Sequence, residues 1–122
     1  MEYRNNWSKY IIASRSDYNY SAAGGISGLS IVVYNTTSYP IDYVAVAVRY
    51  ITVNGYIHKT ETVGFYDIAA GTKQAQIAPN SERGTSVEYE ITNIYAKKFR
   101  FCFDKNDLEG NGSINDPWKC VN

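Results

Sequence analysis

Apolar and polar residues alternate with a period of two along much of the chain, the spacing of strands buried on one face. Leu29, Ile31 and Val33 share a face of the segment 29–34. Val87-Glu-Tyr-Glu-Ile91 alternates cleanly, and 97–103 alternates again with Phe99, Phe101 and Phe103 on one side and Arg100 and Cys102 on the other. Residues 7–14 read as a first strand, 15–28 as a polar Gly- and Ser-rich connection, and 72–78 as a short polar strand ending at Pro79. No segment holds a helical period beyond two turns.

The clearest element lies in the middle. Residues 42–53 and 56–66 flank Asn54-Gly55, the strongest short hairpin signal. A two-residue type I′ loop pairs Val53 with Tyr56, which sets Val46 against Val63 and Val44 against Phe65 as a core patch. The other face then pairs Tyr43 with Tyr66 and Ile51 with His58. Toward the tip the inner pairs become Val48 with Glu61 and Tyr50 with Lys59. The hairpin is therefore expected to project past the core there, or to carry a bulge that shifts its register.

About seven short strands separated by turn residues predict an all-β fold, a single immunoglobulin-like antiparallel β-sandwich, with a small barrel as the alternative. The 122 residues suit one domain, with a core over 7–103 and a tail over 104–122. A chain of this length buries roughly 65% of its unfolded surface and needs no metal or cofactor to do so. Trp7 and Trp118 lie near the two ends, not between the cysteines as in antibody domains.

Twelve basic residues balance twelve acidic ones, and the basic ones are scattered, which argues against nucleic acid or an anionic membrane as partner. No apolar run is long enough for a spanning helix. Met1 stands before the polar Glu2-Tyr-Arg-Asn-Asn6, which suggests that a signal segment or larger parent protein has been removed; a cytoplasmic protein is the plain alternative. Cys102 and Cys120 are expected to form a disulfide closing a loop of about 18 residues, a restraint of roughly 3 kcal/mol on the unfolded chain. The alternative is two unrelated thiols. A zinc site would need more ligands than two cysteines with no nearby histidine.

Reactive groups are sparse. His58 is the single histidine and falls at the outward tip of the hairpin. Glu88 and Glu90 share the solvent side of a strand, and Glu61 and Asp67 are isolated. Paired-carboxylate chemistry requires a cleft with one acid desolvated. Asp104-Lys-Asn-Asp-Leu-Glu-Gly-Asn-Gly112 resembles a calcium loop, but Leu108 and Glu109 break the ligand pattern. Gly24-Gly25-Ile-Ser-Gly28 lacks the lysine of a phosphate-binding loop. Asn6, Asn19, Asn35 and Asn111 each open a glycosylation acceptor triplet. No catalytic residue, metal or cofactor is assigned. Arg83, in its Gly- and Ser-rich corner, is expected to brace the fold by bonding carbonyls or an acid.

What remains is tyrosine, twelve of them. Tyr43, Tyr56 and Tyr66 fall on the non-core face of the hairpin, where exposed rings serve protein and sugar recognition. Tyrosine also simply suits half-buried sheet positions and cross-strand pairs.

Four stretches carry a resemblance: Gly25-Ile-Ser-Gly-Leu-Ser-Ile31, Tyr39-Pro-Ile-Asp-Tyr-Val44, Lys59-Thr-Glu-Thr-Val63 and Ala78-Pro-Asn-Ser-Glu-Arg-Gly-Thr-Ser-Val87, with Asp116-Pro-Trp-Lys-Cys120 in the tail. Across 24–94 the chain resembles an uncharacterised β-sandwich domain found C-terminally in exported or membrane-tethered bacterial proteins of Bacteroidetes type. Its strand order is similar to that of FxLYD-type domains. The resemblance implies a non-catalytic accessory module in the periplasm, at the cell surface or secreted, and carries no ligand-binding residue with it. The expected role is structural, docking or protein recognition, with a carbohydrate-binding module on the tyrosine face as the alternative.

Overall fold

The computed structural model describes residues 7–21, 25–81, 83–98 and 101–104. It is an antiparallel β-sandwich. After a single helical turn, α1 (Trp7–Tyr10), nine strands follow in order: β1 (Ile11–Arg15), β2 (Asn19–Ser21), β3 (Gly25–Ser27), β4 (Ser30–Asn35), β5 (Ile41–Ile51), β6 (Ile57–Ile68), β7 (Lys73–Ile77), β8 (Ser86–Ala96) and β9 (Phe101–Asp104). One sheet runs β1-β4-β7 and the other β6-β5-β8-β9. Lettered in chain order without β2 and β3, these are A-B-E against C′-C-F-G, an immunoglobulin-like arrangement of seven main strands. Strands β2 and β3 form an added hairpin where the sequence suggested only a polar connection. That hairpin is stitched to the corner before β8 by a two-way bridge, Ile26 N–H to Ser81 O and Ser81 N–H to Ile26 O. No helix among the described residues is long and apolar enough to cross a membrane.

The core lies between the sheets and follows the alternation. Leu29, Ile31 and Val33 bury from one side; Val44, Val46, Val48, Val63 and Phe65 bury from the other. The β5–β6 register is as expected for most of its length, with Tyr43 opposite Tyr66, Val44 opposite Phe65, Val46 opposite Val63 and Tyr50 opposite Lys59. The core also reaches further toward the tip than that pairing implied. Val48 and Tyr50 are fully buried, because β8 flanks β5 and Ile26 and Ala78 close that end of the sandwich. The Tyr50 hydroxyl donates to the Pro79 carbonyl. Gly84 fits there because a Cβ would stand 3.2 Å from Ile26, Ser81 and Tyr50.

The tip departs from the expected loop. Gly55 N–H donates to Thr52 O at 2.9 Å and Thr52 N–H to Tyr56 O at 2.8 Å. Gly55 has φ 86°, whereas Asn54 is not left-handed, so this is a type I turn followed by a left-handed glycine and not a type I′ turn. The three-residue loop shifts the register beyond Tyr50, and Ile51 faces Ile57 instead of His58.

A second bulge explains the reach of β8. Ile91 pairs with Val46 and Asn93 with Ala45, which leaves Thr92 as the extra residue. Inward positions are odd before it and even after it, so Ile94 and Ala96 are buried. Lys97 and Lys98 form a turn and not the start of a strand; β9 begins at Phe101, and Phe103 packs inward against Trp7 with ring centroids 4.6 Å apart.

Where the sheets meet at the other end, Asn35 is completely buried with its amide fully used. Its Nδ2 donates to Tyr39 O at 2.8 Å and Ile68 O at 3.1 Å, and its Oδ1 accepts from Thr37 N–H and Oγ1. Loops from both sheets thus share one side chain, the saturation that a buried amide requires.

Candidate functional site

The outer face of the four-stranded sheet is built from the residues that alternate away from the core. Register places Tyr66, Tyr43 and Tyr95 side by side across β6, β5 and β8, with Cys102 next on β9. The following row is Gly64, Ala45 and Asn93, and then Thr62, Ala47 and Glu90. The small residues of these rows form a shallow floor. Tyr43 and Tyr66 lean over it: their centroids are 4.9 Å apart, tilted by 44°, and a Cβ on Gly64 would sit 3.3 Å from Tyr43 and 3.4 Å from Tyr66. Burial, and secondarily Tyr66, raises the Tyr43 hydroxyl above its usual pKa.

Of the three tyrosines expected to form one surface, two meet and one does not. Tyr66 is 62% exposed beside Tyr43, whereas Tyr56 is 72% exposed at the hairpin tip. From position 43 to position 50, β5 advances roughly 24 Å, and Tyr56 lies beyond that. Tyr95 joins the row instead. The sequence hid it, since the Thr92 bulge reverses which face position 95 takes.

Charge lies further along the same face. Arg49 reaches Glu90 at 2.9 Å and Glu88 at 3.5 Å. The two carboxylates therefore flank a guanidinium on an open sheet face. His58 is exposed near the tip. Glu61 pairs with Lys59 at 3.2 Å, and Lys59 also donates to Asn80 O and lies 5.4 Å from the Tyr50 ring centre. Arg83 is exposed and makes no bond among the described residues, contrary to the bracing role expected of it. The corner is held by Gly84 N–H donating to Ser81 Oγ and by the Ile26–Ser81 bridge, backbone groups that need no long side chain. Asn35 cannot serve as a glycosylation acceptor once folded, whereas Asn19 is exposed. Among the described residues no group of three His, Cys, Asp or Glu side chains is placed to hold a metal. Cys120 and the 105–112 part of the calcium-like loop lie outside the described residues, as do Asn6 and Asn111.

One feature went unread in the sequence. Strand β6 is twelve residues long and sits at the edge of its sheet. Near its base the Gln74 side chain acts as a substitute strand: Tyr66 N–H donates to Gln74 Oε1 at 3.1 Å and Gln74 Nε2 donates to Tyr66 O at 2.8 Å. Both backbone groups of Tyr66 therefore point away from β5. In an antiparallel strand this orientation repeats at every second residue. The N–H and C=O of Gly64, Thr62 and Thr60 must then face the open edge too, and none of them has a partner among the described residues.

Comparison with protein-family models, curated proteins and solved structures finds no match to this chain.

Proposed function

We propose that this domain is a non-catalytic accessory module that recognises protein by strand addition at β6. The observation that carries the reading is the run of backbone groups at Thr60, Thr62 and Gly64 that have no partner among the described residues. Such an edge binds an extended segment through main-chain hydrogen bonds, with alternate side chains supplying selectivity. The groups that chemistry would need serve other ends: Glu88 and Glu90 engage Arg49, and the Tyr50 hydroxyl closes the sandwich.

The carbohydrate reading keeps one observation in its favour, the exposure of Tyr66. The tilt of its ring against Tyr43 and the remoteness of Tyr56 weigh against a flat stacking platform. Selection from a displayed library of random peptides, run beside a glycan array, separates the two. Strand addition yields peptides whose binding is lost in Thr62→Pro, a change that removes one edge N–H and is tolerated on an edge strand. Glycan binding lost in Tyr66→Ala, with no peptide selected, overturns the proposal.

The module is further proposed to be periplasmic, cell-surface or secreted, and to belong with the exported bacterial domains it resembles. A Cys102–Cys120 bridge accords with that compartment. Thiol titration of denatured protein prepared from an oxidising compartment should find no reactive cysteine; two would remove the bridge and this support for export.

A further inference from the structure

The open groups of β6 have a spacing that fits a second copy of β6. We propose that two copies of this chain associate edge to edge, their β6 strands antiparallel about a two-fold axis at Thr62, joining two four-stranded sheets into one. This inference rests on the strand-addition reading and names its partner.

Three symmetric registers place the axis in the middle of the open run, at Glu61, Thr62 or Val63, and charge and hydrogen bonding separate them. Centred on Glu61, the strands set two carboxylates directly opposite, a destabilising cross-strand pair. Centred on Val63, they require Tyr66 to bond Thr60, but Gln74 already occupies both groups of Tyr66. Centred on Thr62, the pairs are Thr62 with Thr62 and Thr60 with Gly64 on each side of the axis. Every free edge group is then used, in about six hydrogen bonds. Glu61 faces Val63 in this register, and its charge is already matched by Lys59 at 3.2 Å. Gln74 ends the ladder at Gly64 on both copies, so association closes as a dimer and does not spread along the strand. A two-fold contact is isologous and self-limiting. The formal net charge is zero, so the copies meet without overall repulsion.

Sedimentation velocity from micromolar to millimolar concentration tests the proposal on the full chain. The wild type should double its mass as concentration rises, while Thr62→Pro stays monomeric with an unchanged melting midpoint. A cross-linking pair reads the register even if the proline variant fails to fold. At a hydrogen-bonded antiparallel pair the Cα atoms stand about 5.5 Å apart, within disulfide range. Mild oxidation should therefore give a covalent dimer of Thr62→Cys, and none of Thr60→Cys or wild type. A wild type that remains monomeric at millimolar concentration overturns the dimer, as does equal cross-linking at both positions. If it is monomeric but selected peptides still lose binding in Thr62→Pro, self-association falls and strand addition stands. Peptides that bind that variant undiminished remove both.

Discussion

The two ends of the β5–β6 hairpin are held by different physics. At the base, side chains decide. Val44, Val46, Val63 and Phe65 are buried together, and a slip of one residue would turn all of them to solvent. The outer face adds the Tyr43–Tyr66 pair over Gly64, where a glycine leaves room for two rings. At the tip no core exists to enforce anything. Val53 is 82% exposed, and the backbone chooses the turn that places the left-handed residue on Gly55 alone. Packing is therefore insensitive to what happens beyond Tyr50, and the strand slips by one position there at little cost.

This contrast can be broken from either end. Phe65→Ala removes the largest fully buried side chain at the base and should cost about 3–5 kcal/mol, measured by denaturant unfolding; a loss below about 1 kcal/mol would mean the base is not the anchor. At the turn, Gly55→Ala meets open space but a φ of 86°, so its cost is backbone strain alone, about 1–2 kcal/mol. An unchanged midpoint would indicate that the loop relaxes to another turn in solution.

Tyr50 sits between the two regimes. Tyr50→Phe should cost about 1 kcal/mol at neutral pH by leaving Pro79 O without its donor. Burial, and then Glu61, raises the Tyr50 hydroxyl above its ordinary value of 10.0. The folded state thus favours the neutral phenol, and this contribution is present in full below pH 10 and is lost as pH climbs through the folded value. The wild-type midpoint should fall more steeply above pH 10 than that of Tyr50→Phe; parallel curves would show the hydroxyl to be solvated. The smallest effect belongs to Val53→Ser, expected within about 0.5 kcal/mol by the same unfolding measurement.

What the sequence disclosed follows the same division. Where alternation was backed by burial, the register of Tyr43, Val44 and Val46 could be read directly. Asn54-Gly55 marked the turn but is compatible with two loop types, which differ by one residue in length. The Thr92 bulge was invisible because one extra residue reverses the pattern and makes β8 look finished at Ile91. Strands β2 and β3 carry too little apolar signal, and Ile26 alone reveals their docking. Tyr43 and Tyr66 were legible as neighbours because they share a cross-strand pair. The open edge was not, since it depends on which side of β6 a backbone carbonyl faces, and only the Gln74 contact discloses that.

The saturated amide of Asn35 bears on how the protein is produced. Its triplet invites oligosaccharyl transfer in a eukaryotic secretory host, and a nascent chain modified there has no place for the sugar between the two layers. Yeast or mammalian secretion would divide the product into a foldable fraction and a trapped one, whereas a host without that machinery makes a single species.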